Sequence, residues 1–125
     1  MADGTFSVFV RNAVDYETYS AGQEVFREGE TGDCLYVVRS GTVDLLKGEV
    51  LLESVEPGGA FGEMVLTGRP QRSASAVARD DATIVRVDQT RFDFVMQTNP
   101  FLARAFMRLI ADRLSIMNER LKDLV

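Results

Sequence analysis

Glu63 and Arg72 lie nine positions apart in "FGEMVLTGRPQRSASAVA", residues 61–78, and the chain clears space around both. Gly62 precedes the acid, while Ser73, Ala74, Ser75 and Ala76 follow the arginine. A planar guanidinium can hold a phosphate through two parallel hydrogen bonds. An ionised carboxylate only accepts, so it suits a hydroxyl donor such as a sugar's. "EMVL", following the Pro57-Gly58-Gly59 turn, can form one helical turn whose leading N–H groups point outward at an anion. Small neighbours let a ligand approach the backbone closely. A ribose carrying a phosphate would satisfy all of these at once. The plain alternative is a surface salt bridge between the two side chains, a common arrangement.

Other chemistry is excluded by what the chain lacks. With no histidine, histidine metal sites, Ser-His-Asp and Cys-His nucleophile systems and histidine-ligated haem are ruled out. The single cysteine, Cys34, rules out an intrachain disulfide and a four-cysteine iron–sulfur cluster, and it fits a reducing compartment. It reads as a small core residue rather than a redox sensor. No acids are paired at a suggestive spacing. The net charge of −5 argues against nonspecific binding to nucleic-acid backbones or anionic lipid. The first residues do not form a signal peptide, and no run reaches the ~18 apolar residues of a spanning helix. The expectation is a cytoplasmic protein with no catalytic residues, no metal, no nucleic-acid partner and no membrane partner.

The elements that must position Glu63 and Arg72 follow from the punctuation. At 125 residues the chain is sized for one domain, residues 1–125, with one moderate core. Glycines at 22, 29, 32, 41, 48, 58 and 59 separate the short runs "YETYS", "EVFRE", "CLYVVRS", "TVDLLK" and "VLLESV". Such runs, rich in Val, Tyr, Phe and Leu, predict antiparallel strands. Residues 72–79 and 82–87 add two more, and residues 5–15 are ambiguous between strand and helix. After Asp88, a capping residue, "QTRFDFVMQT" reads as a short helix. Asn99-Pro100 then opens a long helix with no Gly or further Pro. The fold class is mainly β with C-terminal helices: an antiparallel, jelly-roll-like β-roll over about 16–88, then a short and a long helix over about 89–125.

"FGEMVL" followed by "RSASAVA" resembles the phosphate-binding cassette of the cyclic-nucleotide-binding domain family. "EGETGDCLYVVRSGTV", residues 28–43, resembles that family's glycine-marked hairpin core. The resemblance implies that Glu63 accepts the ribose 2′-hydroxyl and that Arg72 pairs with the exocyclic phosphate oxygens. It assigns Gly62 a ligand-facing role. Backbone amides near Met64 and Val65, with that of Ser73 or Ala74, would complete the phosphate cradle. Arg69 is set aside, because only Arg72 is followed by the small-residue strand. Three features depart from the family pattern. Val65 stands where Ala, Gly or Ser is usual, Pro70 comes one residue earlier than usual, and no aromatic follows Phe106.

The long helix carries a second pattern. Met107, Ile110, Leu114, Met117, Leu121 and Leu124 repeat at spacings of 3 and 4, an a/d seam. Phe101, Leu102, Ala105, Phe106 and Leu109 supply an inward face nearer its start, and members of the family that the chain resembles often pair through this helix, so a homodimer is expected. Leu114, Met117, Asn118 and Leu121 are the candidates to cap the base. The functional expectation is a stand-alone sensor of cAMP, with cGMP second, that needs no cofactor and signals through its C-terminal helices to an unidentified effector protein. The alternative is a scaffold module of the same fold that has lost nucleotide affinity.

Overall fold

The computed structural model describes residues 5–11 and 15–122, with the Leu121 side chain outside the described set. The strands are β1 (Glu17–Tyr19), β2 (Glu24–Phe26), β3 (Cys34–Ser40), β4 (Val43–Lys47), β5 (Val50–Val55), β6 (Ala60–Phe61), β7 (Ser75–Ala78) and β8 (Ala82–Asp88). They form two four-stranded antiparallel sheets, ordered β1-β8-β3-β6 and β2-β7-β4-β5. Helices α1 (Gln89–Thr98) and α2 (Pro100–Lys122) follow. The architecture is the expected β-roll with a short and a long C-terminal helix.

β3 shows why "CLYVVRS" is apolar without alternating. Cys34, Tyr36 and Val38 face the second sheet, joining Val43, Val55, Phe61 and Ile84 in the core between sheets. Leu35 and Val37 point the other way, joining Val87, Leu102, Phe106 and Leu109 beneath the helices. A strand buried on both faces reads as a continuous apolar run. Each of Leu102, Phe106 and Leu109 contributes roughly 1.5–3 kcal/mol by burial, which fixes the first half of α2 on the first sheet.

The helix boundaries have local causes. Asp88 accepts the Arg91 N–H at 2.8 Å and so caps α1. The Asn99 side chain accepts the Leu102 N–H at 3.3 Å, and Pro100 takes the first position of α2, where a missing N–H costs nothing. At 1.5 Å per residue the 23 residues of α2 span about 34 Å, so its second half reaches past the helix core to β5.

Four details differ from the sequence expectation. Phe101, expected on the inward face of α2, is exposed and belongs to neither core. The strand expected over residues 72–79 begins only at Ser75, because the Arg72 backbone is taken by the β2–β3 loop. β6 is a two-residue strand that no sequence period marked. Within residues 5–15 the chain forms a 3-10 turn at Ser7–Phe9, with Phe6 and Phe9 buried beside α2; residues 12–14 lie outside the described residues. No helix among the described residues is long and apolar enough to cross a membrane.

Candidate functional site

The β2–β3 loop holds Arg72 by its backbone. The Arg72 N–H donates to the Glu30 carbonyl at 2.7 Å, and the Arg72 carbonyl accepts from the Gly29 N–H at 2.8 Å. One step along, the Gly32 N–H donates to the Pro70 carbonyl at 2.8 Å. The Arg72 side chain then runs inward and is only 5% exposed. Its Nη1 donates to the Gly62 carbonyl at 2.9 Å, and its Nη2 lies 3.9 Å from Cys34 Sγ. Two glycines make this possible. A Cβ on Gly32 would collide with Arg72 Nε. One on Gly62 would lie 2.8 Å from Nη1, and Gly62 also has φ +77°, a conformation that side chains resist.

Aromatic rings floor the guanidinium. Its carbon sits 4.1 Å from the centre of Phe26 and 5.6 Å from that of Tyr36. Burial above all, then the neighbouring Cys34 thiol, pushes the Tyr36 phenol up to about 12, so the ring is uncharged at neutral pH. Cys34 is a buried core residue as expected, yet its sulfur also accepts from Arg86 Nε at 3.3 Å.

Glu63 opens the 3-10 turn Glu63–Thr67, directly after Gly62, and is 3% exposed. It does not pair with Arg72. Its Oε1 accepts from Arg113 Nη1 at 2.6 Å, reaching across from α2. Arg113 also grips Glu53 of β5 through Nε at 2.9 Å and Nη2 at 3.4 Å. Burial works to lower the Arg113 pKa. The Glu63 and Glu53 charges and hydrogen bonds outweigh it and hold the group above the ordinary arginine range. One cation thus answers one buried and one half-buried acid, whereas Arg72 makes no ion pair among the described residues. The surface salt bridge between Glu63 and Arg72 is not formed.

A cavity of about 370 Å³ opens between these groups. Gly62, Glu63, Met64, Val65, Arg72, Ser73 and Ala74 all line it, so the expected cassette residues are brought together. Lys47 Nζ donates to the Ser73 carbonyl at 3.2 Å, which fixes the orientation of that residue. Of the expected cap, Leu114 and Met117 line the cavity. Asn118 is exposed and outside the lining, and the Leu121 side chain lies outside the described residues.

The sequence reading missed several lining residues. Arg69, set aside there, lines the cavity. So do Phe26, Glu53 and Arg113, while Leu45, Leu52, Ile110 and Ile116 give its far end an apolar wall. Arg113 did leave a trace, as a charge beside the apolar seam of α2. Arrangement and charge suit a small anion with one apolar end. Volume agrees, falling toward the lower end of the roughly 300–1,000 Å³ of small-molecule sites.

Comparison with known proteins identifies the family of the fold. The family model for the cyclic nucleotide-binding domain matches residues 16–99. A cAMP-dependent protein kinase regulatory subunit from Eremothecium gossypii is 31% identical over 102 residues, which is 82% of this chain and 22% of that protein. The crystal structure of the Thermus thermophilus catabolite activator protein superposes with a TM-score of 0.74 at 30% identity, over 96% of this chain and 56% of that one. The structure of the EAL enzyme Bd1971 superposes with a TM-score of 0.63 at 29% identity, over 85% of this chain and 99% of that one. This chain therefore spans about a fifth to a half of the length of the first two. With its two-sheet roll, its C-terminal helices and a family match over most of its length, the chain belongs to the cyclic nucleotide-binding domain family.

Proposed function

We propose that this domain binds a 3′,5′-cyclic nucleotide, cAMP before cGMP, and reports its presence through α2. The observation that carries the reading is Arg72: a buried guanidinium in a cavity wall, with no carboxylate among the described residues to neutralise it. Burying an unanswered charge is costly, and an anionic ligand would supply the missing partner. In this reading Arg72 takes the phosphate, with the backbone of Met64, Val65, Ser73 and Ala74 around it. Glu63 accepts the ribose hydroxyl, and Leu114 and Met117 cover the base. The small preference for cAMP follows from the mostly aliphatic far wall, which offers no full set of partners for a guanine edge.

The domain is a cytoplasmic binding module that does no chemistry on the nucleotide and acts on a separate effector protein, pairing with a second copy through α2. A non-binding scaffold is the rival, and one observation favours it: Arg113 already occupies one oxygen of Glu63. Calorimetric titration with cAMP and cGMP separates the two. Saturable binding of one nucleotide per chain, recovered unchanged, supports the sensor; no heat with either nucleotide supports the scaffold.

A further inference from the structure

We propose that Phe26 is a positioning residue for Arg72: its ring holds the guanidinium flat so that the unused N–H donors serve an anion in the cavity. The inference rests on Arg72 being the phosphate-binding side chain. A buried guanidinium has to be held by something. A carboxylate would hold it, but would also cancel the charge an anionic ligand needs. An aromatic face attracts a cation through its quadrupole and carries no net charge. Arg72 has that partner, a ring 4.1 Å away, and no ion pair among the described residues. Of the guanidinium's five N–H donors, one goes to Gly62 and one faces Cys34, which leaves three.

The backbone is shaped to put Phe26 there. Along β2 and β7, Glu24 pairs with Val77 and Phe26 with Ala76, so two steps on β2 match one on β7. The extra residue is a bulge, a device that re-aims a side chain next to a site. Phe26 both packs in the core between sheets and lines the cavity. Its ring cannot swing away easily. It lies against Tyr36 at 6.0 Å and Phe61 at 5.9 Å between centres, and those two rings stack on each other at 5.4 Å. Leucine at this position would keep the apolar filling and lose the π face.

A double-mutant cycle with cAMP as the probe tests this, using wild type, Phe26→Leu, Arg72→Gln and the double variant, with thermal unfolding run on each. Phe26→Leu should weaken binding about tenfold when Arg72 is present. In the Arg72→Gln background, measured at raised protein concentration, the same change should cost less than about twofold. Phe26→Tyr, which keeps the ring, should restore most of the affinity. Equal losses in both backgrounds, or no loss in either, would overturn the proposal and make Phe26 a packing residue only. If Phe26→Leu does not fold, Phe26→Met takes its place, filling the gap with an unbranched chain. A wild type that binds neither nucleotide, or an Arg72→Gln variant that binds as the wild type does, removes the phosphate reading beneath the proposal. That outcome is distinct from an uncoupled cycle.

Discussion

Arg72 and Glu63 are both buried, yet neither neutralises the other, so each can be tested alone. Arg72→Ala removes a charge-assisted contact that contributes roughly 1.5–3 kcal/mol per bond, and Arg72 has donors for two. Affinity for cAMP should fall about a hundredfold or more; calorimetry giving an unchanged dissociation constant would reject the phosphate role. Glu63 has only its Oε1 on Arg113, which leaves the second oxygen for a hydroxyl. The 2′-deoxy nucleotide should therefore bind the wild type about tenfold less well than the ribose form, and Glu63→Gln should narrow that gap. Equal affinities for the two sugars in the wild type would remove Glu63 from the ligand. Gly32 matters at the same scale: a Cβ there would collide with Arg72 Nε, so a site built on one arginine depends on a residue forty positions away.

α2 ties the site to the rest of the fold through one side chain. Arg113 joins α2 to Glu53 on β5 and to the turn opened by Glu63, with the Arg113 and Glu53 side chains each 11% exposed. Removing the shared cation leaves buried Glu63 and half-buried Glu53 unpaired, so Arg113→Ala should lower unfolding free energy by about 3 kcal/mol. Chemical denaturation checks this, and a loss below about 1 kcal/mol would mean that water replaces the arginine. Ligand binding should also dock the helix further, because Leu114 and Met117 line the cavity. Amides from Leu114 to Leu121 should gain protection from hydrogen exchange on adding cAMP; protection confined to residues 61–74 would make α2 a passive prop. The sequence carried the elements well where local chemistry defines them: β3, β4 and β5 between their glycines, α1 after Asp88, α2 after Asn99-Pro100. It also carried the local part of the cavity lining, since residues 62–65 and 72–74 sit within twelve positions of one another. What it could not carry was contact at a distance. Arg113 and Glu53 are sixty residues apart, Phe26 reaches Arg72 only through a bulge, and β6 is too short to show a period.

At the scale of the whole molecule, α2 has more apolar surface than one domain covers. Leu102, Phe106 and Leu109 are buried, and Ile110 and Met117 are half-buried against the cores. Met107 and Leu114 are 65% and 49% exposed. Seven residues apart, they share one stripe of the helix, with Ala111 between them. Exposed apolar residues are ordinary one at a time; a stripe continuous with the wall of a ligand cavity is a better candidate for pairing two copies through α2. Leu114 belongs to both surfaces, since it lines the cavity as well. Pairing and nucleotide binding should therefore be coupled, and coupling free energies are reciprocal: cAMP should tighten the dimer by the same factor, about tenfold, by which the dimer binds cAMP more tightly. Met107 lies outside the cavity lining, so Met107→Glu separates the two events. Sedimentation equilibrium should show the variant largely monomeric. Its cAMP affinity should match that of the wild type diluted until it dissociates, with Arg72 and Glu63 untouched. If the wild type sediments as a monomer at every concentration, with and without cAMP, the stripe on α2 does not serve a second copy of this chain.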